Sequence, residues 1–391
     1  MTYNIARILI VFEFLLVVYT VIKEKSKLIE INKLTASLIL IFFLTQGFSI
    51  VFSFNVQTFL FVYKDLVFAL LLFLVAIHVV NKNNINFFLK IFIIASSIYL
   101  LFQIITYLFP NITYSILQPL FYDRYWQFFD FQFNRNKYFG DAFDEVTVAF
   151  ALFYLFRSKF SIKTIFLIFF LGAVIFITIA SYWITKVIML VFGMIAGIVL
   201  FRNKLKKWIG VLITFVIILL FASNIVSVYV TGKNVIDRIT LSRISEEDNA
   251  KSVNRVEAWR QAGEMGISSP FSGIGLGNYY DYLPQRNKIF NRNSSSLLLG
   301  NFIVIDDPHN LFFSTFAASG FIGLFALIAL CARFLISDIV YIRNGQLIVK
   351  SVIVAFWSLT LFSLLNPWMY FSYQTFYWLL RGFIEKFESK K

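Results

Sequence analysis

The chain has 391 residues, 59% of them hydrophobic and only 14% charged, with 50 Phe and a mean hydropathy of +0.77. Soluble domains carry roughly 25% charged residues, so this composition excludes one and describes a polytopic membrane protein. The net charge of +14 has no soluble basic domain to carry it, which argues against nucleic-acid binding, and the single Cys331 rules out an intramolecular disulfide and any cysteine-rich metal site.

The apolar segments are continuous runs without the period-two alternation of a transmembrane barrel, so the spanning elements are predicted to be helices. Measured against the roughly 20 residues needed to cross a bilayer, about eleven spans are expected, near 4–22, 34–54, 60–80, 88–109, 143–157, 164–181, 184–201, 208–228, 309–332, 348–364 and 368–382. The predicted class is all-α. The first apolar stretch lacks a small-residue cleavage site and runs straight into lysines, so no cleavable signal peptide is expected.

Lys and Arg accumulate in alternate connections. "KEKSKLIEINK" (23–33), "NKNN" (81–84), "RSKFSIK" (157–163), "RNKLKK" (202–207), the stretch 333–350 and "RGFIEKFESKK" (381–391) all fall on one side, which is then cytoplasmic. Two long connections lie on the opposite side, near 110–142 and 229–308. Loops of that length in a compact protein are functional or disordered. The first is rich in aromatic residues, which suits the membrane interface. The second contains "DNAKSVNRVEAWRQAGEMG", which reads as a helix and makes a folded outer region the better expectation. The expected organisation is an N-terminal transmembrane bundle over 1–228, a large extracytoplasmic loop over 229–308, and C-terminal membrane helices with a cytoplasmic tail over 309–391.

The outer loop carries the residues of chemical interest. On its helix, Glu257 and Glu264 stand three before and four after Arg260, an ordinary surface-pair spacing. Arg255 has Lys251, Ser252, Ala258 and Trp259 at its helical neighbour positions, and none is a carboxylate. A guanidinium so placed suits an anion such as a phosphate, which it can hold bidentately, although stacking on Trp259 is the alternative. The glycines of "SPFSGIGLGNYYDYLP" are not a dinucleotide fingerprint, since no strand precedes them. They predict a tight turn with close backbone approach, whose N–H groups can also meet an anion.

His309 stands in "DDPHN" at the start of the ninth span, on the same side as Arg255. Asp306 and Asp307 can orient its ring, Pro308 stiffens the approach, and Asn310 can hydrogen-bond a sugar or the backbone. A histidine titrates near neutrality, so it can accept a proton at pH 7. His78 has no polar company in "LVAIHVV" and reads as structural. No metal is expected, since the two histidines are predicted at opposite membrane faces.

"NRVEAWRQAGEMGISSPFSGIGLGNYY" followed by "DDPHNLFFSTFAASGFIGL" resembles the paired signature of the O-antigen polymerase and O-antigen ligase superfamily. The likeness lies in the Arg-x-x-x-Trp helix, the Pro then Gly-x-Gly-x-Gly turn, and the His-Asn before a glycine-containing span. It covers about 80 residues strongly, and it separates polymerase from ligase poorly. It implies a membrane glycosyltransferase of the bacterial inner membrane, facing the periplasm, that acts on undecaprenyl-diphosphate-linked oligosaccharide and polysaccharide. Neither nucleotide sugar, metal nor other cofactor is implied. Implied partners are the lipid-linked glycan, membrane lipid and a chain-length regulator protein.

Carried over by residue, the resemblance makes His309 the essential histidine and Arg255 the loop arginine that holds the donor diphosphate. A second family pattern, a basic residue and Gly before Asp-Pro-Asn, is met in part by "RNKYFGDAFDE", through Arg135, Lys137 and Gly140 without the Pro-Asn. The arginine of the family near the seventh span is absent from "ASYWITKVIML", where Lys186 is the substitute. Arg260 and Asn310 complete the expected substrate-binding set. Polymerisation of lipid-linked repeat units is the expected reaction. The alternatives are transfer of finished polymer to lipid A core by a ligase and, in another class, a polysaccharide flippase, for which the intramembrane "YKD" (63–65) is the feature to examine.

Overall fold

The structure, a computed structural model, describes residues 2–25, 31–108, 143–158, 161–180, 184–201, 247–286, 298–299, 302–303, 308–366 and 371–388. Twelve α-helices are found among them: α1 (Thr2–Glu24), α2 (Lys33–Phe48), α3 (Val56–Val79), α4 (Ile85–Leu108), α5 (Phe143–Arg157), α6 (Ile162–Ala180), α7 (Ile184–Phe201), α8 (Glu247–Ser268), α9 (Tyr279–Arg286), α10 (Leu311–Asn344), α11 (Leu347–Ser363) and α12 (Phe371–Glu388). A 3-10 turn, Ser49–Phe52, extends α2. The departure from an all-helical chain is one short antiparallel pairing of Leu298–Leu299 (β1) with Phe302–Ile303 (β2).

Five helical segments are long and apolar enough to cross a membrane: Asn4–Glu24, Lys33–Phe52, Val56–Val79, Ile85–Ile105 and Leu311–Asn344. Ile162–Thr178, Thr185–Leu200 and Leu347–Ser363 are apolar but shorter. Helices occupy ten of the eleven expected spans, and the span near 208–228 lies outside the described residues. The many-span helical architecture is therefore as expected, and among the described residues five helices qualify by length and composition.

The chain divides into two compact units. One comprises residues 84–243 and 357–362. Within it α5 packs on α4, α6 and α7, and all but three of its 15 residues are buried. A helix apolar all round belongs inside a bundle, which is why this span can be short. Its first turn carries Asp144 and Glu145, both buried, so each must be met by polar partners. Asp144 accepts from the Ser96 hydroxyl and from Gln103 Nε2 at 2.9 Å. Glu145 accepts from Thr178 Oγ1 at 2.9 Å and faces Lys186.

The other unit comprises residues 1–83, 244–356 and 363–391. There α3 lies between α1 and α12, while α10 packs on α2, α8 and α9. Trp378 of α12 is surrounded by the rings of Phe42, Phe43, Phe73 and Phe334 at centroid distances of 5.1 to 6.5 Å. Next to it Arg381 is fully buried over the face of Phe334. Both Asp338 oxygens accept from its Nη1 at 2.8 and 2.9 Å, and Glu385 accepts from its Nε at 2.9 Å. Asp65 of "YKD" is paired with Arg7 of α1 at 2.6 Å, and the Lys64 ammonium stands over the Phe61 ring at 3.9 Å.

Helix α10 is interrupted at Ser319 and Gly320, where φ reaches +63° at the glycine. A break frees backbone groups that apolar surroundings do not solvate. The glycine-rich turn meets them. Ile274 N donates to Ala317 O at 2.9 Å, Gly275 N to Ala318 O at 3.0 Å, and Phe321 N to Pro270 O at 2.6 Å. So close an approach leaves no room for side chains: a Cβ on Gly273 would lie 2.4 Å from Ala318 C, and one on Gly320 would lie 2.4 Å from Pro270 O. Gly273 also has φ +66°, which L residues rarely adopt.

Gly273→Ala and Gly320→Ala are each expected to lose at least about 1–3 kcal/mol from the imposed backbone conformation alone, seen as a lower melting temperature in detergent. Gly193→Ala is the control. An added Cβ there meets nothing nearer than 3.6 Å, so its melting temperature is expected to hold; a fall as large as that of Gly273→Ala would refute the steric account.

Candidate functional site

The candidate site is built on α8, which lies along the first turns of α10. Trp259 stacks on Phe313 with ring centroids 5.8 Å apart and planes 8° from parallel. Further along, Gly266 admits Phe316, whose ring would lie 2.5 Å from an added Cβ. Ala258, Ala262, Met265, Ile274, Tyr279, Leu283 and Ala317 form the core beneath, and Tyr279 Oη donates to Gln261 Oε1 at 3.0 Å. The order of these contacts puts the N-terminal part of α8 at the N-terminal end of α10. Arg255 lies one turn before Trp259 on α8, and His309 lies four residues before Phe313. His309 thus stands at the N-terminal end of the α8–α10 contact, and the Arg255 side chain is not among the described ones.

His309 adopts φ +53°, the left-handed region uncommon for a side-chain-bearing residue. It is half-buried between buried Pro308 and Asn310. Backbone strain of this kind costs about 1–3 kcal/mol and collects where geometry is functional. The sequence folds this way because Asn310 is the N-cap of α10. Its Oδ1 accepts from Phe312 N at 2.9 Å and Phe313 N at 3.1 Å, and its Nδ2 donates to Leu364 O at 2.9 Å. Of the two expected partners for Asn310, sugar or backbone, the backbone is the one it holds. Asp306 and Asp307 lie outside the described residues.

The remaining expected cations divide by environment. Arg260 is exposed and closes on Glu257 with contacts of 2.5 and 2.8 Å, and on Glu264, as its spacing predicted. The guanidinium holds the Glu257 carboxyl below its ordinary range, and the carboxylates raise Arg260 in turn. Lys186 is fully buried, with Nζ 3.4 Å from Glu145 Oε1. Its charge is matched inside its own unit. Arg135 and Lys137 lie outside the described residues, as does Gly140. His78 is structural as expected, its Nδ1 lying 2.9 Å from Leu74 O.

The glycine turn differs from one part of its expected role. The N–H groups of Gly273, Ile274 and Gly275 are bonded to the carbonyls of Ser269, Ala317 and Ala318. They splint a helix break and are not offered to an anion. Three residues that shape this end were missed in the sequence. Asn278, fully buried, accepts from Asn55 N at 2.7 Å and donates to Ser53 Oγ at 2.7 Å. Asp281 accepts from Asn55 Nδ2 at 3.0 Å and Thr58 Oγ1 at 2.7 Å. Asn55 itself caps α3 through Gln57 N. An Asn just before an apolar run is a recognisable cap, but its partners more than 220 residues away are not readable.

Lys186→Met is expected to destabilise by about 3–5 kcal/mol, because it leaves the Glu145 carboxylate buried without its counter-charge. Adding Glu145→Gln should restore most of the loss in a thermal double-mutant cycle. Strict additivity of the two losses would show that the pair does not interact.

Residues 173–328 match the family model described as O-antigen ligase. The matched stretch takes in Lys186, Arg255, Arg260, the glycine turn, His309 and Asn310, and ends inside α10. Comparison with curated proteins finds none that matches the chain. Over this stretch, less than half of its length, the chain is similar to the O-antigen ligase family, and it carries helices long and apolar enough to cross a membrane.

Proposed function

We propose that the protein polymerises glycan repeat units on the outer leaflet of the inner membrane. The growing chain, attached through its reducing sugar to undecaprenyl diphosphate, is the donor; the non-reducing sugar of a fresh lipid-linked unit is the acceptor. The observation that supports this reading is the half-buried His309, held in the left-handed region just before the N-cap of α10 and inside the family-matched stretch, with α8 packed on α10 through Trp259 and Phe313.

In this reaction the acceptor oxygen forms a bond to the anomeric carbon of the donor. The bond from that carbon to the diphosphate breaks, and the lipid diphosphate leaves with the electron pair. His309 takes the hydroxyl proton as general base. Arg255 stabilises the charge gathering on the diphosphate, with Arg135 or Lys137 as further cations, an effect that gains strength away from bulk water. Diphosphate is a good leaving group, so positioning and charge stabilisation suffice without a covalent intermediate. Lys186 is left out of this set, because Glu145 already matches its charge.

A ligase is the second reading, supported by the description of the matched family; it would use the same donor and differ only in its acceptor. A flippase draws less support, because Asp65, the intramembrane acid of "YKD", is taken up by Arg7 in a structural pair.

His309→Ala and Arg255→Ala are each expected to lower glycan transfer by roughly 10²–10⁴-fold, enough to remove polymer while protein level stays normal. Full-length polymer from either variant would take that residue out of the mechanism. Deleting the gene in its host and resolving surface glycans on a gel separates the readings. Lipid A core bearing a single repeat unit means polymerase; bare core with long polymer retained on undecaprenyl diphosphate means ligase.

A further inference from the structure

Helix α1 carries one acid, Glu13, inside its membrane span Asn4–Glu24. Glu13 is nine residues from Asn4 and eleven from Glu24, about 14 and 16 Å along a helix, which sets it at the middle of a hydrocarbon core roughly 30 Å thick. A glutamate is too short to carry its carboxyl from there to either interface, as long cationic side chains do near helix ends. Ionisable groups at that depth ordinarily face a bundle interior and a partner. Glu13 is exposed, and among the described residues no hydrogen bond or ion pair reaches it. Arg7, six residues along the same helix, is taken by Asp65, and Lys64 stands beside that pair over the Phe61 ring. Lys186 and Arg381 already face carboxylates of their own.

The surface around Glu13 has the spacing of a packing seam. Leu9, Glu13, Leu16 and Thr20 recur at intervals of four, three and four residues, and all four are exposed. Packed helices bury such a stripe between them, and one polar residue within it fixes register and partner. Helix α1 has this face to spare. Its packing within the chain runs mainly through α3, with Ile10 and Val17 buried, and 11% of its apolar window is buried against 28% to 39% in the other four qualifying spans. Lipid tails bring no counter-charge to a carboxylate at this depth. A second copy docked on the same seam would set Glu13 against Glu13, like charge on like. We propose that this face of α1 docks a transmembrane helix of another protein, one that carries a lysine or arginine near its midpoint and pairs it with Glu13.

Purified full-length protein, labelled at its N-terminus in vesicles of phosphatidylethanolamine and phosphatidylglycerol, is titrated with an acceptor-labelled leucine-rich helix of about 20 residues bearing one central lysine, and with the same helix bearing leucine there. The lysine helix is expected to associate about tenfold more tightly, and Glu13→Gln should abolish that preference. Glu13→Lys should instead prefer a helix with one central glutamate, a gain that a misfolded variant would not show. Equal association of the lysine and leucine helices with the unaltered protein, or a preference that survives Glu13→Gln, would overturn the proposal. In host membranes, a photo-crosslinking residue in place of Leu16 is expected to capture a membrane span of another protein with a central lysine or arginine, and Glu13→Gln should remove that adduct. Adducts with a second copy, with another span of this chain such as 208–228, or with lipid alone would overturn it.

Discussion

The arrangement of the outer site depends on three backbone hydrogen bonds, those from Ile274, Gly275 and Phe321 to the carbonyls of Ala317, Ala318 and Pro270. A helix broken in apolar surroundings leaves donors and acceptors that water is not there to satisfy, and each would cost several kcal/mol if abandoned. The turn supplies the missing partners at backbone distance. That requirement accounts for the glycines, because any side chain at Gly273 or Gly320 would occupy the space the partner backbone needs. With the break held, α8 lies against the first turns of α10, the helix that begins just after His309.

Burial sorts the cations by a second constraint. An unpaired charge inside a membrane protein is costly, so a buried cation is matched before it can serve a ligand. Lys186 with Glu145, Arg381 with Asp338 and Glu385, and Arg7 with Asp65 all follow this rule. Their carboxylates come from other helices, apart from Glu385, and the pairs act as cross-links between spans. Arg260 differs in kind. It is exposed, and its contacts with Glu257 and Glu264 are worth a few tenths of a kcal/mol each.

Much of this was legible in the chain itself. The apolar runs marked the helices, and α5 was recognisable although short. The Glu257–Arg260–Glu264 spacing translated directly into its contacts, because residues three and four apart on a helix are neighbours whatever surrounds them. Asn310 was read as able to bond a sugar or the backbone, and the structure makes it the cap of α10. Lys186 shows where such reading stops. Its partner lies 41 residues away on another helix, and local spacing holds no record of that distance. The length of α10, its break at Ser319 and Gly320, and the partners of Asn278 were hidden for the same reason.

The sequence by itself determined that the chain carries membrane-spanning segments and that these are helices. Hydropathy, charge placement and helical periodicity act over one span at a time, so they survive in a linear reading. Only the tertiary structure decided which carboxylate meets Lys186, why glycines stand in the turn, and where α10 breaks. Each of these depends on which segments touch across distant parts of the chain, and such contacts are set by packing and by the need to satisfy every buried polar group.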